Sequence, residues 1–221
     1  MTDRDTLLAT ARAELYSAVV ADTLDSLGHR EQVVAPGLTA LDDSLTMCGF
    51  ARVGLYMPIY HDDETVNVYE HEIALVDDLK PGDVPVISCN GDLRLSPWGE
   101  LLSTRAQVLG STGCITDGCV RDVRQIREIG YPVHCGGRNP TDTKYRGKMM
   151  WTDVPCVIGG VRVESGDFVI ADMDGIAFVP AAILDEVLSG ALAKVRAETT
   201  VRDELRAGAR LSEVFARHGI L

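Results

Sequence analysis

The stretch from residue 84 to residue 135 leaves this chain few folds to choose from. VPVIS (84–88), behind the turn Pro81-Gly82-Asp83, is a short apolar run of strand type. Trp98 to Leu109 places Leu101, Leu102, Ala106 and Leu109 on one helical face and stops at Gly110. A brief strand, Gly113-Cys114-Ile115-Thr116, follows. A second helix begins near Val120, keeps Val123, Ile126 and Ile129 inward and ends at Gly130, and PVHC (132–135) is a third strand. Strand, helix, strand, helix, strand with short connections is the order of a βαβ arrangement, so the fold class is α/β.

The flanks fit around this centre. Residues 5–27 carry Leu7, Leu8, Ala11, Leu15, Val19, Leu24 and Leu27 at helical spacing and predict one N-terminal helix within 1–28, stopped by Gly28. Leu45 to Tyr56 is rich in β-formers. Segments 155–163, 167–171 and 176–179 read as strands joined by Gly159-Gly160, Ser165-Gly166-Asp167 and Asp174-Gly175. From 181 to 221 the pattern is helical again, a C-terminal extension with a short last helix over 211–218. A chain of 221 residues needs no second domain, and 1–221 is expected to fold as one.

A formal charge of −12 repels phosphate backbones and anionic membrane surfaces, which argues against nucleic-acid and membrane partners. The N-terminus lacks an apolar signal core and no run reaches about 18 apolar residues. Cys48, Cys89, Cys114, Cys119, Cys135 and Cys156 are scattered without zinc spacing and read as buried thiols of a reducing compartment. A cytoplasmic protein is the expectation. His61 and His71 flank a helix-like segment and read as surface or turn residues.

Two elements of the centre carry chemistry. Gly99-Glu100-Leu101-Leu102 opens a helix whose first N–H groups have no partner inside it and suit a carboxylate or phosphate. Asp117-Gly118-Cys119-Val120-Arg121-Asp122 reads as a turn that feeds the next helix, at the strand ends where open α/β sheets form their ligand crevice. Arg121 offers a planar fork for a carboxylate and Asp122 one hard oxygen, and Mg2+ often takes only one or two protein carboxylates, its shell completed by water and substrate. Taken singly, each motif reads more simply as a solvated helix start.

Together, WGELLSTRAQVLGSTGCITDGCVRD (98–122) closely resembles the RraA-like family, which includes the 4-hydroxy-4-methyl-2-oxoglutarate/4-carboxy-4-hydroxy-2-oxoadipate aldolases, class II pyruvate aldolases with oxaloacetate decarboxylase activity. Similarity extends more loosely through KPGDVPVI (80–87) and SGDFVIADMDGIAFVP (165–180) to the C-terminal helix. The resemblance implies an αββα sandwich assembling as homotrimers or homohexamers. It also implies a 4-hydroxy-2-oxo acid cleaved to pyruvate through a pyruvate enolate, with Mg2+ or Mn2+ as cofactor. By the same resemblance the 99–102 amides and Arg121 hold the pyruvyl carboxylate and ketone, Asp122 holds the metal, and a metal-associated water moves the proton. Glu198 falls where members place a glutamate reaching into a neighbouring subunit's site.

Rival readings are weaker on the residues. Schiff-base chemistry needs a desolvated lysine, whereas Lys80, Lys144, Lys148 and Lys194 lie beside turns or in polar stretches. Some RraA-like members instead regulate an RNA-degrading enzyme by protein contact and lack the full Arg-Asp pair, which this chain keeps. No Gly-rich strand–loop–helix supports an S-adenosylmethionine site of the menaquinone methyltransferase kind. The segment 138–148 departs from the aldolase pattern, and its Arg138, Lys144, Arg146 and Lys148 are expected to offer a cation to a substrate's distal carboxylate.

Overall fold

The computed structural model describes residues 3–61 and 64–220. In chain order the elements are α1 (Asp3–Glu14), α2 (Ser17–Ser26), β1 (Thr39–Ala40), β2 (Met47–Pro58), α3 (Glu70–Asp77), β3 (Asp83–Ser88), α4 (Glu100–Val108), β4 (Cys114–Val120), α5 (Val123–Glu128) and β5 (Val133–Arg138). There follow β6 (Gly147–Thr152), β7 (Cys156–Ile158), β8 (Val161–Val163), β9 (Phe168–Ala171), β10 (Ile176–Val179), α6 (Leu184–Arg206) and α7 (Leu211–His218). One mixed sheet runs β1-β5-β4-β3-β2-β9-β10. Strands β2 to β5 pair in parallel, joined through α3, α4 and α5, while β1, β6, β9 and β10 pair antiparallel.

Alternation of side chains along the strands builds three core layers. Tyr56, Ile87, Cys114, Val133 and Cys135 pack with Leu75, Ala106 and Ile126 of α3, α4 and α5. On the opposite faces, Val53, Val86 and Ile115 pack against Val169, Ala171, Ile176 and Phe178 of β9 and β10 and against the β7–β8 hairpin. The remaining faces of β9 and β10, with Phe168, Ile170, Ala177 and Val179, meet Leu8, Val20, Leu24, Val187 and Ala191 of α1, α2 and α6. Helix, strand, strand, helix is the expected αββα sandwich, made from one continuous sheet. Strands β3 and β4 are buried along their whole length, as strands covered on both faces must be.

The structure corrects several boundaries. The single helix predicted over 5–27 is two, because the Ser17 N–H and hydroxyl donate to the Asp172 carboxylate at 2.7 and 2.6 Å and hold Tyr16 extended between them. Asp117-Gly118 is no turn. It lies inside β4 at a bulge against β5, and the strand runs on to Val120. The polar segment 138–148 is shorter than expected, since β5 extends to Arg138 and β6, unrecognised in sequence, starts at Gly147 and pairs with the far half of β2. Segment 155–163 is the hairpin that its Gly159-Gly160 turn implies, β7 paired with β8. Among the described residues no helix is long and apolar enough to cross a membrane.

Candidate active site

Beyond the C-terminal ends of the parallel strands lies a cavity of about 140 Å3 lined by Tyr69, Glu72, Ile73, Ser96, Pro97, Trp98, Gly99, Leu101, Leu102, Arg121, Asp122 and Asp142. Its floor is where the two sequence motifs meet. Trp98 bridges Val120 in parallel and its carbonyl accepts the Arg121 N–H at 3.1 Å, so the start of α4 and the exit of β4 are tied side by side. Asp122, the residue before α5, adopts left-handed backbone, φ 57° and ψ 33°, which costs a non-glycine residue on the order of 1–3 kcal/mol. That conformation turns its carboxylate back toward α4, where Oδ2 accepts the Glu100 N–H at 3.3 Å.

Gly99 permits this approach. A Cβ there would stand 2.8 Å from Asp122 Oδ2 and 3.3 Å from Arg121 Cγ. The absence of a side chain is needed for space, its backbone being extended and open to any residue. Leu101, exposed on the first turn of α4, adds an apolar side chain to the cavity lining.

Acidic groups surround the guanidinium. Arg121 Nη1 is 3.5 Å from Asp142 Oδ2 and Nε is 3.8 Å from Asp122 Oδ2. Asp142 also accepts the Tyr69 hydroxyl at 2.7 Å; burial pushes its carboxyl up, but Tyr69 and Arg121 outweigh that and hold it below the usual range. Burial, with the Asp142 hydrogen bond and charge, raises the Tyr69 phenol to about 12. Glu72, on the first turn of α3, is only 7% exposed and accepts the Tyr56 hydroxyl at 2.7 Å. Its burial raises the carboxyl to about 7, helped by Asp142 and opposed by Tyr56 and Arg121.

Of the residues singled out in sequence, Gly99, Leu101, Leu102, Arg121 and Asp122 line one cavity. Glu100 contributes its backbone N–H, while its carboxylate accepts the Thr104 hydroxyl at 2.7 Å. Glu198 is not brought there. It lies on α6, where Tyr16 donates to it and Arg202 stands 3.7 Å away. From the 138–148 segment the cavity receives an acid, Asp142, and none of the four cations; Arg146 donates to the Asp142 and Lys144 carbonyls and Lys144 stacks on Tyr145. Nothing in the local sequence marks Tyr69 or Glu72, which arrive from α3 through the fold. Asp117, raised by burial, accepts the Cys89 and Gly91 N–H groups and the Ser88 hydroxyl and pins the turn that leads toward Trp98.

The donor set suits a hard divalent cation of the kind that keeps most of its waters. Among the described residues no group of three or more His, Cys, Asp or Glu side chains forms a complete metal cage. Asp122 offers one carboxylate at the cavity, next to the space that Gly99 leaves open. Among the described residues that line the cavity Arg121 is the one cation against Asp122 and Asp142, so the lining is short of the positive charge that an anionic ligand needs, and a cation at Asp122 would provide it.

A profile of the RraA-like family (Aldolase/RraA) matches residues 17–178, well over half of the chain and all of this site. The chain belongs to the RraA-like family. A Halalkalibacterium halodurans protein named "Putative 4-hydroxy-4-methyl-2-oxoglutarate aldolase" is 32% identical over 79% of this chain and 77% of its own length. Protein DlpA of Legionella pneumophila is 27% identical over 89% of this chain, a match that spans only 31% of that longer protein. Among solved structures, Streptomyces coelicolor RraAS2, described as an unusual member of the RNase ES inhibitor RraA protein family, superposes with a TM-score of 0.78 at 30% identity over 89% of this chain and 96% of its own. The RraA-like fold is thus common to proteins named for catalysis and for inhibition, and the site must decide between them.

Proposed function

We propose that this RraA-like chain is a divalent-metal-dependent aldolase that cleaves a 4-hydroxy-2-oxo acid to pyruvate through a pyruvate enolate and decarboxylates oxaloacetate through the same enolate. One observation carries the reading: the α4 N-terminus, Arg121 and the strained Asp122 converge on one cavity. Strain of this kind persists where surrounding structure enforces it, and it gathers at functional sites. Held by Asp122, Mg2+ or Mn2+ would supply Lewis acidity toward the substrate's carboxylate and ketone oxygens. Of the amides over 99–102, the Glu100 N–H is held by Asp122, and the others at the start of α4 would receive the substrate carboxylate. Arg121 holds the substrate carboxylate and the ketone oxygen on which enolate charge develops. Leu101 and Leu102 add apolar side chains beside the breaking bond. Glu198, which lies outside the cavity of its own chain, would serve a neighbouring subunit's site in a trimer or hexamer.

The likeness to the Streptomyces protein favours a second reading, regulation of an RNA-degrading enzyme by protein contact. A pyruvate-release screen over 4-hydroxy-2-oxo acids and oxaloacetate, with Mg2+ or Mn2+, separates the two. The aldolase reading expects turnover that excess chelator abolishes and added metal restores, and that Asp122→Asn loses while staying folded. Full turnover in chelator, or borohydride trapping of substrate, overturns the metal mechanism. Absence of pyruvate from every substrate leaves the regulator.

A further inference from the structure

Among the described residues three carboxylates line the cavity, and they differ in what is left for them to do. Asp142 is engaged by Tyr69 and Arg121, and Asp122 by the Glu100 N–H and Arg121, and both are partly exposed. Glu72 is nearly sealed from solvent yet lines the cavity, and its partner is a phenol rather than a cation. The titratable and charged groups that act on it come from several elements: Tyr56 of β2, Tyr69 before α3, Cys89 after β3, Arg121 after β4, and Asp142 beyond β5. A carboxyl that gains and loses a proton near neutral pH is what general acid–base catalysis requires.

Resting on the aldolase reading, we propose that Glu72 carries the proton of this reaction, where the family resemblance implies a metal-associated water. Its carboxylate takes the proton of the substrate's C4 hydroxyl as C3–C4 breaks. The bonding pair passes to C3 and is delocalised onto the C2 oxygen as enolate, and C4 becomes the carbonyl carbon of the leaving fragment. The Glu72 carboxyl then returns the same proton to C3, giving the methyl group of pyruvate, so the cycle closes with no proton gained or lost. With oxaloacetate, C3–C4 breaks as carbon dioxide departs, and Glu72 must begin protonated to supply C3; solvent then reprotonates it. One residue therefore imposes opposite pH limbs on two reactions. Aldol cleavage rises as pH passes upward through about 7, and decarboxylation falls over the same range. Tyr56 is a positioning residue, its hydrogen bond stabilising the ionised form.

The test is exchange of pyruvate methyl protons in D2O with Mg2+, followed by NMR, together with kcat/KM–pH profiles of both reactions. Parent protein should exchange, and Glu72→Gln, which keeps an acceptor for Tyr56, should slow exchange by about 10²-fold or more and flatten both limbs. Tyr56→Phe should keep turnover and move both limbs to higher pH, a shift that a merely structural role would not produce. In metal-free protein, a carboxyl band titrating near neutrality in the infrared should vanish in Glu72→Gln. Parent exchange with an unaltered Glu72→Gln, or limbs of the same sign for the two reactions, overturns the assignment of Glu72 alone. Absence of exchange in the parent protein overturns the aldolase reading beneath it.

Discussion

Arg121 Nη1 stands 3.5 Å from Asp142 Oδ2, so the guanidinium that is to grip a substrate carboxylate already faces one from its own chain. Asp142→Asn removes that competitor. KM for pyruvate and oxaloacetate should fall, by no more than about fivefold, because a partly exposed pair is worth about 0–1 kcal/mol. Steady-state kinetics check this, and a raised KM would mean that Asp142 orients Arg121 rather than competing with substrate.

Arg121→Lys keeps the charge and loses the planar fork. KM should rise through a poorer carboxylate grip, and kcat should fall by about 10²–10³ if Arg121 is a preorganised donor to the enolate oxygen. Kinetics on oxaloacetate, with fold and assembly verified by circular dichroism and sedimentation, read both. An unchanged kcat removes Arg121 from enolate stabilisation.

Gly99→Ala tests the close approach of the two motifs. The new Cβ would lie 2.8 Å from Asp122 Oδ2, so the carboxylate must move, while the extended backbone accepts alanine without strain. We expect a thermal midpoint close to that of the parent and kcat/KM reduced by about 10²-fold, the usual cost of a displacement near 1 Å at a reacting centre. Parent-like kinetics would show that Asp122 needs no fixed position.

Glu72 should cost the fold stability at neutral and alkaline pH. Its carboxyl is raised from 4.5 to about 7 in the folded chain, so between those values the native state binds more protons than the unfolded state, and stability declines as pH rises. The loss is complete above about pH 7 and amounts to about 3 kcal/mol. Glu72→Gln lacks this titration. Denaturant unfolding at several pH values should therefore show the variant gaining on the parent from pH 5 to 8, and parallel curves would contradict the raised carboxyl.

The parts of this molecule legible in sequence are those whose signal is local. Periodicity over 84–135 located β3, α4, β4, α5 and β5, and Gly28 marked the end of α2. The pairing of Gly99–Leu102 with Arg121-Asp122 was readable because both lie at strand–helix junctions of adjacent βαβ units, which the topology must bring together. What escaped depends on distant partners. The break at Tyr16 needs Asp172, 155 residues beyond Ser17. Strand β6 is recognisable only by its pairing with β2, and Gly147 and Lys148 at its start make it resemble a loop. Asp142 and Glu72 look like ordinary surface acids in their own segments, and only burial against Tyr69 and Tyr56 singles them out.

Strand β2 belongs to both halves of the sandwich, its first residues paired with β9 and its last with β6. Tyr56, which holds Glu72, therefore rides on the same backbone ladder that anchors the layer beneath α1, α2 and α6. A local opening at one end of that ladder is felt at the other. Amide exchange along β2 should be among the slowest in the molecule and uniform from Met47 to Met57, the behaviour of a single cooperative foldon rather than of a catalytic half hinged to an inert one.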